Sequence, residues 1–550
     1  MSTKESKPAS PELTHRQVWI ILIGLMSGMF LAALDQSIVS TAMRTIADDL
    51  EGLSLQAWAT TAYLITSTVS TPIYGKLGDI FGRRPLFLTA IGIFLAGSVL
   101  AGLATSMIEL AGFRALQGLG AGGLFSLALT IIADIVPPRE RARYQGVFLA
   151  VFGTASVMGP LIGGLFAGIP EILWVEGWRW VFLINLPVGA ISLFMVLTFL
   201  HVPHRARKTR LDWWGAATII LGVVPLLLVA EQGREWGWTS PLSIAMYLTS
   251  AMGITAFVLV ERKMGDDALI PPSMFASQTF TRTTILGVFI GAGMFGGMLV
   301  LPLVLQVSYG ADPTQAGLLM LPMVLGMMIS TIASGRITAA TGRYRVFMNV
   351  GTAVLALGYL YLLLVMDATR PIWVLSIGMV IVGLGLGQLL QTHTVASQNA
   401  VDPRNIGAAT SGATFFRQMG GTLGVSVFLS ILFSQLQDQV VASFQKPGVA
   451  EGIAEALRDP EVLANPANAR IIDLIQGGTA GSGAELSIDS SFLIGADERL
   501  TAPFRIGFAD SSLPIFAIAA ALIGLAFAIS WFIKEIPLRS KSASQELIGE

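Results

Sequence analysis

The sequence predicts an all-α integral membrane fold, with two six-helix bundles, two further helices inserted between them and fourteen spans in all. Three observations carry this expectation. Of 550 residues, 53% are hydrophobic and only 13% charged, too apolar a balance for a soluble protein of that length. Apolar runs of about 20 residues, the length a helix needs to cross the hydrocarbon core, recur fourteen times. A loop pattern of glycines and arginines also occurs twice, 260 residues apart.

The runs fall near residues 18–43, 56–75, 86–104, 110–134, 145–168, 180–201, 213–231, 241–260, 284–307, 314–334, 346–366, 372–398, 406–433 and 513–533. The opening MSTKESKPASPELTH is polar. The apolar run behind it is too long for a signal-peptide core and lacks an evident cleavage site, so the first span is expected to be retained. Lysine and arginine set the orientation. With the N-terminus in the cytoplasm, inner segments hold 23 basic residues between Lys4 and Lys541, whereas the short outer loops hold four, Arg44, Arg179, Arg234 and Arg370. An even number of spans returns the C-terminus to the same side. HRARKTR before the seventh span and ERK after the eighth mark that pair as an inserted hairpin.

The expected organisation is a tail over 1–17, a first bundle over 18–204, a linker with the inserted spans over 205–275, a second bundle over 276–533 and a tail over 534–550. A long outer loop near 434–508 interrupts the second bundle. Within it GGTAGSGAELS reads as flexible linker, and the proline-broken helical periods around it read as short external helices.

Several function classes are excluded by composition. A net charge of −1 lacks the basic excess that nucleic-acid binding exploits. No cysteine is present, and the four histidines, His15, His201, His204 and His393, lack metal-ligand spacing. Without a GxxxxGK[ST] loop, ATP-driven pumping by this chain is not expected. No catalytic constellation is apparent, so the chain reads as a non-enzyme without cofactor or metal.

YGKLGDIFGRRP, Tyr74 to Pro85, packs one acid and three basic residues between two apolar runs. A positive inner loop accounts for the basic residues but leaves Gly75, Gly82 and Asp79 unexplained. Glycine allows close backbone approach and a tight turn. Asp79 is placed to pair with Arg83, or with a helix end across the interface of the two bundles. Gly75, Asp79, Gly82, Arg83 and Arg84 are therefore expected to form a charge latch that holds one conformation. SGRITAATGRYR, Ser334 to Arg345, repeats the pattern with Ala339 in place of the acid, and GLGAGG at 118–123 is echoed by GLGLGQ at 383–388. Repeated halves of this kind build a midplane site that rocks open to either side in many secondary transporters.

Charges also lie inside the spans. Asp35 is 17 residues into the first, where an unpaired charge costs about 2.5–3.5 kcal/mol. Gly24, Gly28, Ala32 and Asp35 share an arc of about 80° at 100° per residue, a small-residue face that packs on protein. Burial there raises a carboxyl pKa toward cellular pH, which suits proton loading. Arg114 in the fourth span shares a stripe with Gln117 and Phe125 and is a candidate partner for Asp35. In the fifth span Gly159, Pro160, Gly163 and Gly164 favour close helix crossing. Arg417 in the thirteenth meets no deep acid among the later spans. It either bonds carbonyls and the amides of Gln388 and Gln391, or awaits an anionic substrate group. Gln388, Gln391 and Thr392 are expected to line a wet cavity. Met294, Met298 and Phe416 are candidates for an adaptable apolar wall.

GKLGDIFGRRP resembles the signature loop of the major facilitator superfamily. LDQSIVSTAM, RALQGLGAGG, GPLIGGLFAG, WRWVFLINLPVG and ATFFRQMGGTLG resemble the motifs of its fourteen-helix drug:proton antiporter branch. The resemblance spans nearly the whole chain. It implies a proton-coupled efflux antiporter for amphiphilic or cationic compounds, in a bacterial plasma membrane with both termini cytoplasmic, working as a monomer with protons as coupling ion. It also implies that the Asp35 acid and the Arg114 arginine serve proton coupling, and that the Gly159–Gly164 motif typifies exporters, sealing the interface of the halves. Expected partners are small amphiphilic substrates and membrane lipid. Export of an endogenous lipid or anionic metabolite, and a non-transporting membrane sensor, stay open as other readings.

Overall fold

A computed structural model describes residues 15–52, 55–200, 210–476, 493 and 495–539. The GGTAGSGAELS stretch, His201, His204 and the ends of both tails lie outside the described residues.

The first half comprises α1 (His15–Asp49), α2 (Gln56–Phe81), α3 (Arg83–Gly102), α4 (Met107–Ile135), α5 (Pro138–Gly168), and the broken pair α6 (Trp180–Leu183) and α7 (Asn185–Phe199). A two-residue hairpin, β1 (Glu171–Ile172) with β2 (Val175–Glu176), joins α5 to α6. The inserted pair follows as α8 (Trp213–Trp236) and α9 (Pro241–Met264). The second half comprises α10 (Gln278–Val307), α11 (Pro313–Leu319), α12 (Leu321–Thr341), α13 (Arg345–Val365), α14 (Ile372–Asn399) and α15 (Ile406–Phe444). After the short α16 (Val449–Ala456), α17 (Pro460–Ala464) and α18 (Ala469–Gln476), the last helix among the described residues is α19 (Glu498–Ser530).

Helix ends follow the local chemistry. Ser106, Asp212, Ser240 and Asp312 accept from backbone amides in the first turns of α4, α8, α9 and α11. Gly342 closes α12 in the left-handed region. Among the described residues twelve segments are long and apolar enough to cross a membrane. The other two expected spans are α2 and α5. A Ser/Thr-rich stretch makes α2 too polar, and only Gly153–Gly168 of α5 is a sufficiently apolar run. The polar face of α2 is spent on α4 and α15, not on lipid: Ser67, Ser70 and Thr71 are buried.

Two core clusters draw only on residues up to Leu200 and a third only on residues from Leu286 onward. A fourth joins α2, α8 and α15 through Ile65, Val69, Ile219, Val223, Leu227 and Phe415, so α8 is wedged on the seam between the halves. By contrast α9 packs on α8 and leaves most of its surface exposed, as a lipid-facing helix does. Exposed tryptophans mark two levels: Trp213, Trp214 and Trp531 lie at the face that carries the α2–α3 turn (the near face), Trp174 and Trp373 at the far face. Tryptophan favours membrane interfaces.

In all α15 is 39 residues long, or ~58 Å at 1.5 Å per residue, so it runs on past the far face, and with α19 it carries α16 to α18. Ala456, Val462, Ile471 and Leu474 join the second-half core, so the loop is docked rather than splayed. Arg499 clips it, donating to Asp459 Oδ2 and to both Asp497 oxygens at 3.0 Å. These hydrogen bonds hold both carboxyls below their usual range. A depressed folded pKa stabilises fully above the unfolded value, about 3.9, and is lost as pH falls through the folded value. Nicking of residues 449–464 by an acid protease is therefore expected to rise below about pH 4. Arg499→Ala should permit nicking by a neutral protease at pH 7.

Candidate functional site

The first half encloses a polar cluster. Asp35 is 0% and Arg114 1% exposed, and Arg114 Nη1 lies 2.5 Å from Asp35 Oδ2. Two amides complete the carboxylate's shell: Gln117 Nε2 donates to Oδ1 at 2.8 Å and Asn185 Nδ2 to the same oxygen at 2.7 Å. Arg114 also donates to Gln117 Oε1 at 2.7 Å, and its guanidinium sits 4.2 Å from the ring centroid of Tyr63. Asn185 reaches Ser98 Oγ at 2.9 Å. The cluster thus draws one side chain each from α1, α2, α3 and α7 and two from α4.

Its placement follows from small residues. A Cβ at Gly24 would meet Met195 and Val196, and one at Gly28 would meet Phe87 and Ser192, so the glycine face of α1 lies on α3 and α7 as its arc predicts. Two polar atoms in the cluster, Arg114 Nε and Asn185 Oδ1, have no hydrogen-bond partner. A buried ion pair is worth keeping only if its remaining groups are satisfied. This one is incompletely satisfied, as suits a group that changes partners.

A second constellation joins the halves at the near face. Gly82, with φ +95°, ends α2 and starts α3, a turn only glycine adopts without strain. Arg83 then bonds Asp79 and, at 3.0 Å, Asp134 of α4. The other Asp79 oxygen accepts from Ala408 N at 3.1 Å. That amide is in the first turn of α15, whose N-cap residue, Asn405, makes no side-chain cap. One half therefore caps a helix of the other, an interaction of about 0.5–2 kcal/mol favoured by the positive end of the helix dipole. Both partners anticipated for Asp79, Arg83 and a helix end across the interface, are present together.

The crossing is tight around this cap. A Cβ on Gly75 would overlap the Ser411 side chain, and one on Gly407 would overlap the Asp79 carboxylate. Thr71 Oγ1 donates to Gln418 Oε1 at 3.1 Å and Arg141 Nη1 to Gln398 Oε1 at 2.6 Å, adding two further bonds between halves. Arg84 differs from expectation: it donates to Leu197 O at 2.6 Å within its own half, because α7 lies beside the start of α3. Among the described residues the second copy of the loop makes no such tie. There Arg345 donates to Trp531 O at 2.5 Å, holding the chain's last segment.

Other anticipated residues are placed as follows. Gly159 meets Ser37, and Gly163 meets Ile38 O, so these glycines seat α5 on α1 inside the first half rather than sealing the halves; Gly164 meets nothing within 4 Å. Pro160 is partly buried beside them. It is instead Gly153 that touches the other half, at Val324. Gln117 is committed to Asp35 and does not line open space. Phe125 is partly buried against the first-half core. Met294 is buried in the second-half core. The Met298 side chain lies outside the described residues.

Gln388 is partly buried and donates to Leu384 O at 3.0 Å. Thr392 is buried and donates to Gln388 O at 2.7 Å. Phe416 packs edge-on against Phe415 and Phe275. Arg417, partly buried, bonds neither Gln388 nor Gln391. Its Nε, Gln391 Nε2 and His393 Nδ1 are all without partners, while His393 Nε2 meets Thr283 O at 2.9 Å.

Asn185, Tyr63 and Ser98 were missed by sequence reasoning. Asn185 stands inside WRWVFLINLPVG, the sole amide of a long apolar stretch, which was the available signal. Tyr63 and Ser98 carry none, since single hydroxyls are common in membrane helices.

Comparison with known proteins agrees with this geometry. Residues 25–425 match the Major Facilitator Superfamily. The chain is 33% identical over 536 residues to the multidrug transporter protein MdtP of Bacillus subtilis (strain 168), covering 96% of this chain and 95% of that one. It is 34% identical over 466 residues to multidrug resistance protein 3 of the same organism, covering 84% and 88%. Its fold is similar to that of the proton:xylose symporter XylE, with a TM-score of 0.58 at 15% identity over 98% of this chain and 100% of that one, a likeness of fold alone. Two halves capped across a tight helix crossing, with a family match running through both, show that this chain belongs to the Major Facilitator Superfamily and is a multi-pass membrane transporter, not an enzyme.

Proposed function

We propose that the protein exports amphiphilic, mainly cationic compounds in exchange for protons, by alternating access. The carrying observation is the sealed Asp35–Arg114 pair, a carboxylate in hydrocarbon with a counter-charge that has another acceptor, Gln117, within reach. The names of the two bacterial relatives support efflux of drugs. The lysine and arginine asymmetry makes the near face cytoplasmic, with both termini on that side. The structure then corresponds to the state closed toward the cytoplasm.

In that state Asp35 is ionised and held by Arg114. A proton arriving from outside neutralises it, Arg114 turns to Gln117 and the Tyr63 face, and the loosened α1 lets the first half tilt until the Asp79 cap breaks. Release of the proton inside frees the site for the next cycle. Each proton contributes roughly 2.3 kcal/mol per 100 mV and about 1.36 per pH unit. No cofactor takes part, and one chain holds the whole site. Efflux of several unrelated cationic dyes from reconstituted vesicles under an imposed pH gradient tests the reading; failure with all of them removes it.

One observation favours a second reading, export of an anionic or lipid-like compound. Arg417 forms no ion pair among the described residues, and its buried Nε has no hydrogen-bond partner among them. Arg417→Ala is expected to reduce cationic dye efflux less than threefold. A loss of about tenfold or more, the size of one charged hydrogen bond, confined to anionic compounds, would favour the second reading.

A further inference from the structure

The inserted helix α8 brings an acid into the seam. Glu231 lies five residues before the end of α8, partly buried, where Ser426 Oγ of α15 donates to it at 3.3 Å. Thr61 of α2 stands beside the same carboxyl. It is 2% exposed, and its Oγ1 has no hydrogen-bond partner of good geometry. One turn farther out Trp58 and Trp236 approach to 6.3 Å between ring centroids. Three helices from three parts of the chain thus place a carboxylate and two hydroxyls together, with an aromatic pair about one turn farther out.

Among the described residues no ion pair involves Glu231. The charged groups nearest along the packed elements are few. On α8, exposed Arg234 lies over the Phe433 ring at 4.9 Å, and Glu235 is exposed. On α15, Arg417 is nine residues nearer the latch, ~13 Å of helix rise. Neither α2 above Lys76 nor the spanning part of α9 presents any charge. An acid at this depth carries a proton or meets a cation. Two hydroxyls and one carboxylate are too few oxygens for calcium or magnesium, which take six or more. A carboxylate about one turn from a pair of indoles suits an organic cation with apolar arms.

We propose that Glu231, Thr61, Ser426, Trp58 and Trp236 form a second substrate site, on the seam, for the charged head of an amphiphilic organic cation. Cation and proton occupy it in competition. The site rests on the transport reading above, and it adds a station between the halves that Asp35, sealed within one half, does not supply. Because α8 is the inserted element, the station is a property of the insert rather than of the two bundles.

The test is equilibrium binding of tetraphenylphosphonium to the full chain in lipid nanodiscs between pH 5.5 and 8.5, with vesicle efflux measured in parallel. Wild type is expected to bind more tightly as pH rises. Glu231→Gln should weaken binding by about tenfold and flatten its pH profile; Glu231→Asp should restore part of both. Trp236→Leu, which changes no charge, should weaken binding severalfold and keep the pH profile. Unchanged affinity in both Glu231→Gln and Trp236→Leu overturns the site, as does a loss in Glu231→Gln matched by a collapse of its thermal unfolding curve while Trp236→Leu binds normally. Wild-type vesicles that show no proton-driven efflux would refute the transport reading, and the binding arm would still decide the site.

Discussion

Asp35→Asn is expected to lower proton-driven efflux by at least about a hundredfold while leaving a folded protein. The variant keeps the shape of the side chain but replaces an acceptor oxygen with a donor NH2. Three donors converge there, from Arg114 at 2.5 Å, Gln117 at 2.8 Å and Asn185 at 2.7 Å. Breaking a buried ion pair costs about 3–5 kcal/mol when the survivor is left alone. Arg114 is not left alone, since Gln117 Oε1 and the Tyr63 ring remain, so the cost should fall at or below the lower end. Thermal unfolding in detergent checks this. Adding Arg114→Gln removes the orphaned charge and should recover most of the stability without recovering transport. Recovery of both would mean the pair is structural.

Gly75→Leu carries the second largest expected effect. Gly75 meets Ser411 at a crossing that leaves no room for even a Cβ, and the leucine would hold α2 and α15 apart. Closure at the near face also supplies the Asp79 to Ala408 cap and the Thr71 to Gln418 bond. Losing both together with the overlap should disfavour the closed state by more than the about 1 kcal/mol of a single cap. Efflux should fall about tenfold or more, and cysteines introduced at the near face should become reactive to impermeant reagents. Asp79→Ala removes the cap and the Arg83 ion pair but leaves the Gly75 crossing intact, and should show the same change weakly, about fivefold in accessibility.

Much of this was legible in the sequence because a bilayer punishes polar groups one residue at a time. Asp35 and Arg114 stood out as charges in apolar runs and as candidate partners, but their spacing does not say whether they touch. Gly75 and Asp79 stood out because a positive loop explains neither. What was not legible depends on helices distant in sequence. Nothing in NIGAAT, residues 405–410, says that the α15 N-terminus lacks its own side-chain cap and borrows Asp79. Arg84 resembles Arg83 in sequence, yet one helical step turns it toward α7. Glu231 was passed over because it ends an apolar run, where an acid ordinarily faces water; only the seam packing of α8 shows otherwise. Gly159 and Gly163 of α5 do sit at a close crossing while Gly164 does not, and spacing does not name the partner, which is α1.

The central claim is that protonation of Asp35 governs the separation of the halves. The chain has no cysteine, so spin labels at Phe81→Cys and Asp402→Cys, on opposite sides of the near-face seam, report that separation without background. Pulsed dipolar distances should shift between a short and a long population from pH 8 to pH 5 in the otherwise wild-type protein, and Asp35→Asn should give one pH-independent distribution. A shift of equal size and midpoint in Asp35→Asn would contradict the account.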